Sequence, residues 1–172
     1  MPYQSRNVAA CALSSDTIYV FGGRISVKDK KQLSNVILLY LIAANLWIEL
    51  PVKLPQKVAL LTPVKINSSQ IALFGGLSYN GDLEPENEDE SSHVQPTCNV
   101  LVFDSRLPAV TFARDQLIKP FVSLVSPFYN ARDNVVLLVN EQSPSLANGL
   151  DVKKALPELL CYSLTGLFNQ TS

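Results

Sequence analysis

The chain has 172 residues, of which 47% are hydrophobic and only 17% charged, against a usual charged share of about 25%. Such a chain can bury a sizeable core, which excludes wholesale disorder. Fourteen basic and fifteen acidic residues give a net charge of −1, which argues against bulk electrostatic binding of nucleic acid.

The N-terminus, Met1-Pro2-Tyr3-Gln4-Ser5-Arg6, has no apolar stretch after a basic start, so no secretory signal is expected. A strand is predicted over Val8–Leu13. A second, Ile18-Tyr19-Val20-Phe21, is β-branched and aromatic and closes on Gly22-Gly23, as a strand running into a tight turn does. The segment Arg24 to Ser34 follows as a loop. Then comes the longest apolar run, Val36 to Ala44, nine residues against the roughly 20 that a bilayer span needs, so no membrane association is expected. Within it Asn35–Tyr40 reads as a strand, continued by Asn45-Leu46-Trp47-Ile48-Glu49-Leu50-Pro51.

The order then recurs. Val58–Leu61 precedes Ile71-Ala72-Leu73-Phe74-Gly75-Gly76, whose glycines lie 53 residues after the first pair. After the segment Leu77 to Cys98, Asn99-Val100-Leu101-Val102-Phe103-Asp104 answers Asn35–Tyr40, with Phe112 in place of the tryptophan. A third, degenerate copy reads Asn134–Val139, with Asn140-Glu141 where the glycines stood, then Leu159-Leu160-Cys161-Tyr162 and Phe168 as the tryptophan substitute. Asp151 to Leu164 also has helix-capping residues at its ends, but Pro157 opposes a helix by about 3 kcal/mol, so a strand from Leu159 is expected.

Arg6, the strand ending in Gly22-Gly23, Asn35, Tyr40, Asn45, Trp47 and Leu50-Pro51 together resemble a kelch repeat. The resemblance implies an all-β fold: a partial kelch-type β-propeller of about three four-stranded antiparallel blades, with boundaries near 1–53, 54–117 and 118–172. Gly22, Gly23, Tyr40, Trp47, Gly75, Gly76 and Phe103 are its structural markers. Face-to-face packing of blades explains near-continuous apolar strands such as Val36–Leu39, and Trp47 is expected between blades. Propellers close with about four to eight blades. Three therefore leave two faces bare. The expectation is that the chain is completed either by the remaining blades of a longer protein or by a second copy, giving six.

Binding residues are expected on the loops after the diglycines, because long loops on a rigid scaffold commonly carry recognition. The first holds Arg24, Lys28, Lys30 and Lys31, opposed by Asp29 alone. The second holds Asp82, Glu84, Glu86, Glu88, Asp89 and Glu90, six of the fifteen acidic residues in nine positions. These charges serve either to solvate the loops or to form a charged recognition face, the basic loop receiving an acidic peptide.

Catalytic patterns are missing from the sequence. His93 is the only histidine, there is no Gly-x-Ser-x-Gly elbow, and neither phosphate-binding glycine pattern occurs. Cys11, Cys98 and Cys161 are odd in number and widely spaced, as reduced thiols of a cytoplasmic protein would be. No metal and no cofactor are expected. The reading is a non-catalytic module binding a protein partner through loops on one face. The alternative is a fragment of a kelch-like propeller enzyme, an oxidase or sugar-modifying enzyme, whose site residues lie mostly in absent blades. In that alternative Tyr3, Arg6 and Arg132 are polar side chains of the kind that contribute to such a site.

Overall fold

The computed structural model describes residues 1–2, 4–27, 30–79, 94–140 and 158–165, with backbone alone for Val27, Lys30 and Lys31. The apolar runs of the first unit form strands β2 (Ala9–Ala12), β3 (Thr17–Phe21), β6 (Val36–Leu41) and β7 (Leu46–Lys53). Polar segments form β1 (Ser5–Arg6), β4 (Arg24–Val27) and β5 (Lys30–Leu33), so the expected loop from Arg24 to Ser34 holds two paired strands. The second unit repeats them as β8 (Val58–Ala59), β9 (Thr62–Lys65), β10 (Gln70–Phe74), β11 (Leu77–Tyr79), β12 (Val94–Pro96), β13 (Val100–Asp104) and β14 (Ala109–Phe112). The third gives β15 (Phe128–Asn130), β16 (Val135–Asn140) and β17 (Glu158–Ser163).

Three antiparallel sheets result, ordered β2-β3-β6-β7, β9-β10-β13-β14 and β15-β16-β17. The third has three strands among the described residues, and Phe168 lies outside them. The strand expected from Leu159 is present, so the helix alternative fails over residues 158–163. Two smaller sheets, β1-β4-β5 and β8-β11-β12, continue the first two units beyond their diglycines.

The glycine pairs bend the second strand of each unit from the large sheet into the small one. All four have positive φ, 58° and 96° at Gly22 and Gly23, 61° and 93° at Gly75 and Gly76, a region that L side chains avoid. Gly22 N donates to Val36 O at 2.9 Å and Gly75 N to Asn99 O at 2.8 Å, within the unit. Gly23 N donates to Val58 O at 2.8 Å and Gly76 N to Phe121 O at 2.9 Å, each reaching the start of the next unit. The amides of Val58 and Phe121 return bonds of 3.0 Å to Ser34 O and Thr97 O. A Cβ on Gly22 would run into Val58 O, and one on Gly75 into Phe121 O.

The sheets stack face to face. Ile71, Ala72, Leu73 and Phe74 of β10 are all fully buried, because strand alternation sends Ile71 and Leu73 to one neighbour and Ala72 and Phe74 to the other. On the first side lie Tyr19, Phe21 and Ile37; on the second lie Val136, Leu138 and Tyr162. Phe103 packs edge-on against Phe21 at 5.4 Å, and Phe74 against Tyr162 at 5.2 Å, geometries that add to the hydrophobic burial.

The register corrects the repeat alignment by one residue. Phe21 sits opposite Ile37 and Phe74 opposite Val100, so Asn35 corresponds to Cys98, not Asn99, and Tyr40 corresponds to Phe103. A one-residue slip would turn every side chain to the other face, taking Phe103 off Tyr19 and Phe21. Trp47 faces Tyr40 and Val110 faces Phe103, so Val110, not the exposed Phe112, replaces the tryptophan. Trp47 itself stacks on Tyr40 at 4.6 Å. It lies half-buried on the outward face of the first sheet rather than between two described sheets.

Gly22→Ala and Gly75→Ala should each lower the unfolding free energy by about 2 kcal/mol or more, from positive-φ strain and the backbone clash together. Urea unfolding measures this, and a change below about 0.5 kcal/mol, the usual size for an uncritical surface position, would contradict the crossover geometry.

Candidate functional site

The first strands of the three large sheets converge on one cavity of about 470 Å³, lined by Val8–Ala10, Leu60–Lys65, Ser123–Pro127 and Tyr129. Its two largest polar side chains are engaged: Lys65 Nζ donates to Leu13 O at 2.7 Å and Tyr129 OH to Asn134 Oδ1 at 2.9 Å. Thr62 Oγ1 is buried without a hydrogen-bond partner among the described residues. The Cys11 thiol, next to Lys65, is pushed up by burial, an effect that Lys65 partly offsets. A raised thiol is protonated at neutral pH and is a poor nucleophile.

A second site lies beyond the first diglycine. The Gly23 bonds and a hydrogen bond from Leu33 N to Tyr79 OH at 2.9 Å hold β4 and β5. Arg24 stands in the central strand of the small sheet, opposite Arg6 on β1 and Leu33 on β5. Arg24 is half-buried and Arg6 exposed. Together with Gln4, Ser5, Ile25 and Ser26 they line a cavity of about 420 Å³. The Nε of Arg24 is buried and unpartnered among the described residues. Arg6 did not stand out as a binding residue in the sequence. The signal that finds it is the 53-residue period, which places Arg6 over Ala59 and Arg24 over Leu77, the cross-strand pair of the second unit.

Of the other basic-loop residues, Lys30 and Lys31 lie on β5 and Lys28 lies outside the described residues. The acidic group Asp82, Glu84, Glu86, Glu88, Asp89 and Glu90 also lies outside them, as do His93 and Tyr3, so the structure brings none of these to Arg24. Arg132 sits exposed in the β15–β16 turn.

Two other polar clusters are structural in geometry. Asp104, at the end of β13, takes a bidentate pair from Arg106 at 2.8 and 3.2 Å and a bond from Gln70 Nε2 at 3.0 Å. The Arg106 guanidinium holds its carboxyl down at about 2, against an ordinary 3.8, so it is ionised throughout the physiological range. Tyr162 donates to Asp115 O at 2.5 Å, and burial, helped by the Asp115 charge, pushes its phenol up to about 12. Among the described residues no three His, Cys, Asp or Glu side chains cluster to hold a metal. Cys11, Cys98 and Cys161 are free thiols, and no helix among the described residues is long and apolar enough to cross a membrane.

No protein-family model matches the chain, and no curated protein sequence does either. Solved structures do match. One is YjhT, with a TM-score of 0.62 at 16% identity, covering 78% of this chain and 44% of that one. The chain thus spans less than half the length of the solved structure it matches. The likeness is one of fold, and the stacked antiparallel sheets are β-propeller-like.

Because the folded pKa of Asp104 lies below its unfolded value, the unfolded chain takes up the proton first on acidification. Its stabilising contribution is complete above about pH 4 and is lost as pH falls towards 2. Asp104→Asn should therefore flatten the fall of Tm between pH 4 and pH 2 relative to the parent chain. Parallel curves would show that the Arg106 pair carries no linkage.

Proposed function

We propose that this chain is part of a kelch-type propeller serving as a non-catalytic protein-interaction module, with its post-diglycine loops turned to a protein partner. One observation carries the reading. The middle sheet is buried on both faces by protein, while the outward faces of the outer sheets keep apolar side chains only partly covered, Val20 and Leu38 on the first being buried among them. On the first sheet these outward side chains include Ile18, Tyr40 and Trp47, all half-buried. On the third they include Phe128 and Leu159, 63% and 62% exposed. Apolar sheet faces of this kind mark surfaces made to be covered. Further blades of a longer protein, or a second copy, would extend the stack in the manner already used between its own sheets.

The loops would then sit at one end of a rigid frame, where insertions cost the core little and recognition is commonly placed. Arg24 on β4, Lys30 and Lys31 on β5, and Lys28 between these strands in sequence give the segment after the first diglycine its basic character, which favours an acidic partner surface through complementary charge. Free thiols in a chain without paired cysteines suit a cytoplasmic setting.

Reversing Arg24, Lys28, Lys30 and Lys31 to Glu together should abolish capture of a partner that the parent chain retains. The comparison is made by affinity capture and mass spectrometry on both chains side by side. An unchanged partner set would contradict the basic-loop reading.

A further inference from the structure

We propose that Arg6 and Arg24 form a carboxylate-binding fork that receives an acidic peptide segment of the partner. The proposal deepens the interaction reading above and rests on it.

Four observations carry it. First, Arg6 and Arg24 are a directly opposed cross-strand pair, and like charges in that relation repel. Second, the fold does not ask for them. The corresponding pair in the second unit is Ala59 with Leu77, and Ala59 is 1% exposed. The same positions therefore work structurally with apolar side chains. Third, neither guanidinium has an ion-pair partner among the described residues, and the buried Nε of Arg24 has no hydrogen-bond acceptor there. A buried donor left unmade is costly, and natural structures commonly resolve it with a bound group. Fourth, the pair opens onto the 420 Å³ cavity whose lining also includes Gln4 and Ser26, each two residues along the strand from an arginine and so on its face, donors suited to a carboxylate's remaining lone pairs.

Guanidinium geometry selects the ligand. Two arginines side by side present parallel N–H pairs that match a planar carboxylate. β1 is the edge strand of its sheet, with no strand beyond it among the described residues. An extended segment can therefore lie along it while an acidic side chain enters the fork. A peptide uses both features, and a free oxyanion uses only the first.

The experiment is fluorescence anisotropy of fluorescein-labelled hexaglutamate with the full chain at low ionic strength, with labelled hexaglutamine as the neutral control. Hexaglutamate should bind and hexaglutamine should not. Arg6→Gln, at an exposed position, should weaken binding by about tenfold. Arg24→Lys should weaken it by at least about threefold, because the charge is kept and the fork is lost. Arg132→Gln, which removes one positive charge elsewhere, should leave the affinity within about twofold. Circular dichroism checks that each variant folds. Absence of hexaglutamate binding, or equal losses for Arg6→Gln and Arg132→Gln, would overturn the fork. Competition by inorganic phosphate as effective as unlabelled hexaglutamate would overturn the peptide assignment in favour of a free oxyanion. If the fork fails but loop reversal still abolishes partner capture, the interaction reading stands without it. If hexaglutamate binding depends on Arg6 while loop reversal, which removes Arg24, leaves the partner set intact, the interaction reading fails and with it the assignment of the fork to a partner, and carboxylate binding alone remains.

Discussion

The amide of Gly23 donates to the carbonyl of Val58, and 53 residues further on the amide of Gly76 donates to the carbonyl of Phe121. These bonds tie the second strand of one unit to the first strand of the next. They form only because the backbone there adopts positive φ and because no Cβ intervenes. Everything beyond them follows from the separation and angle they set. The sheets lie close enough for Phe103 to pack into Tyr19 and Phe21, and their first strands meet around a single cavity. Stacking in turn lets β10 be apolar at every position from Ile71 to Phe74 without exposing any of them.

The same arrangement explains where the two arginines can stand. The pair position just past each diglycine accepts side chains of different chemistry, although Val58 beside it in the second unit belongs to the buried core. In the second unit that freedom is filled by Ala59 and Leu77; in the first it holds Arg6 and Arg24. Charge at that end is thus a property of the first unit rather than of the repeat. This separates what the fold requires from what the first unit adds to it.

Much of the fold was legible because its strongest determinants are local. The diglycines, the apolar strands before them and the strand from Leu159 all appear where the residues indicate. The third unit departs from the glycine pattern: Asn140 stays within β16, paired with Glu158, and lacks the positive φ of the glycines, while Glu141 lies outside the described residues. Register was less legible. Asn35 and Asn99 look equivalent in sequence, yet the hydrogen bonds of Gly22 and Gly75 set them one residue apart, since loop lengths hide the pairing that burial decides. The face that Trp47 takes is hard to read for a related reason. Its chemistry marks it as apolar, but only sheet order reveals which face it takes. Arg6 is legible in the sequence only as part of the repeat and of the enzyme alternative, because its pairing lies with a cross-strand partner eighteen positions away, which no local pattern displays.

The central claim is that the glycine amides are structural links between sheets rather than turn groups open to water. Native-state hydrogen exchange read at single amides by NMR tests it directly. The account predicts that Gly23 and Gly76 exchange as slowly as the amides of Ala72 and Leu73 in the middle strand, through the same cooperative opening. Exchange of Gly23 and Gly76 at the rate of the exposed β6–β7 turn amides, such as Ala44, would contradict it and leave the sheets joined by side-chain packing alone.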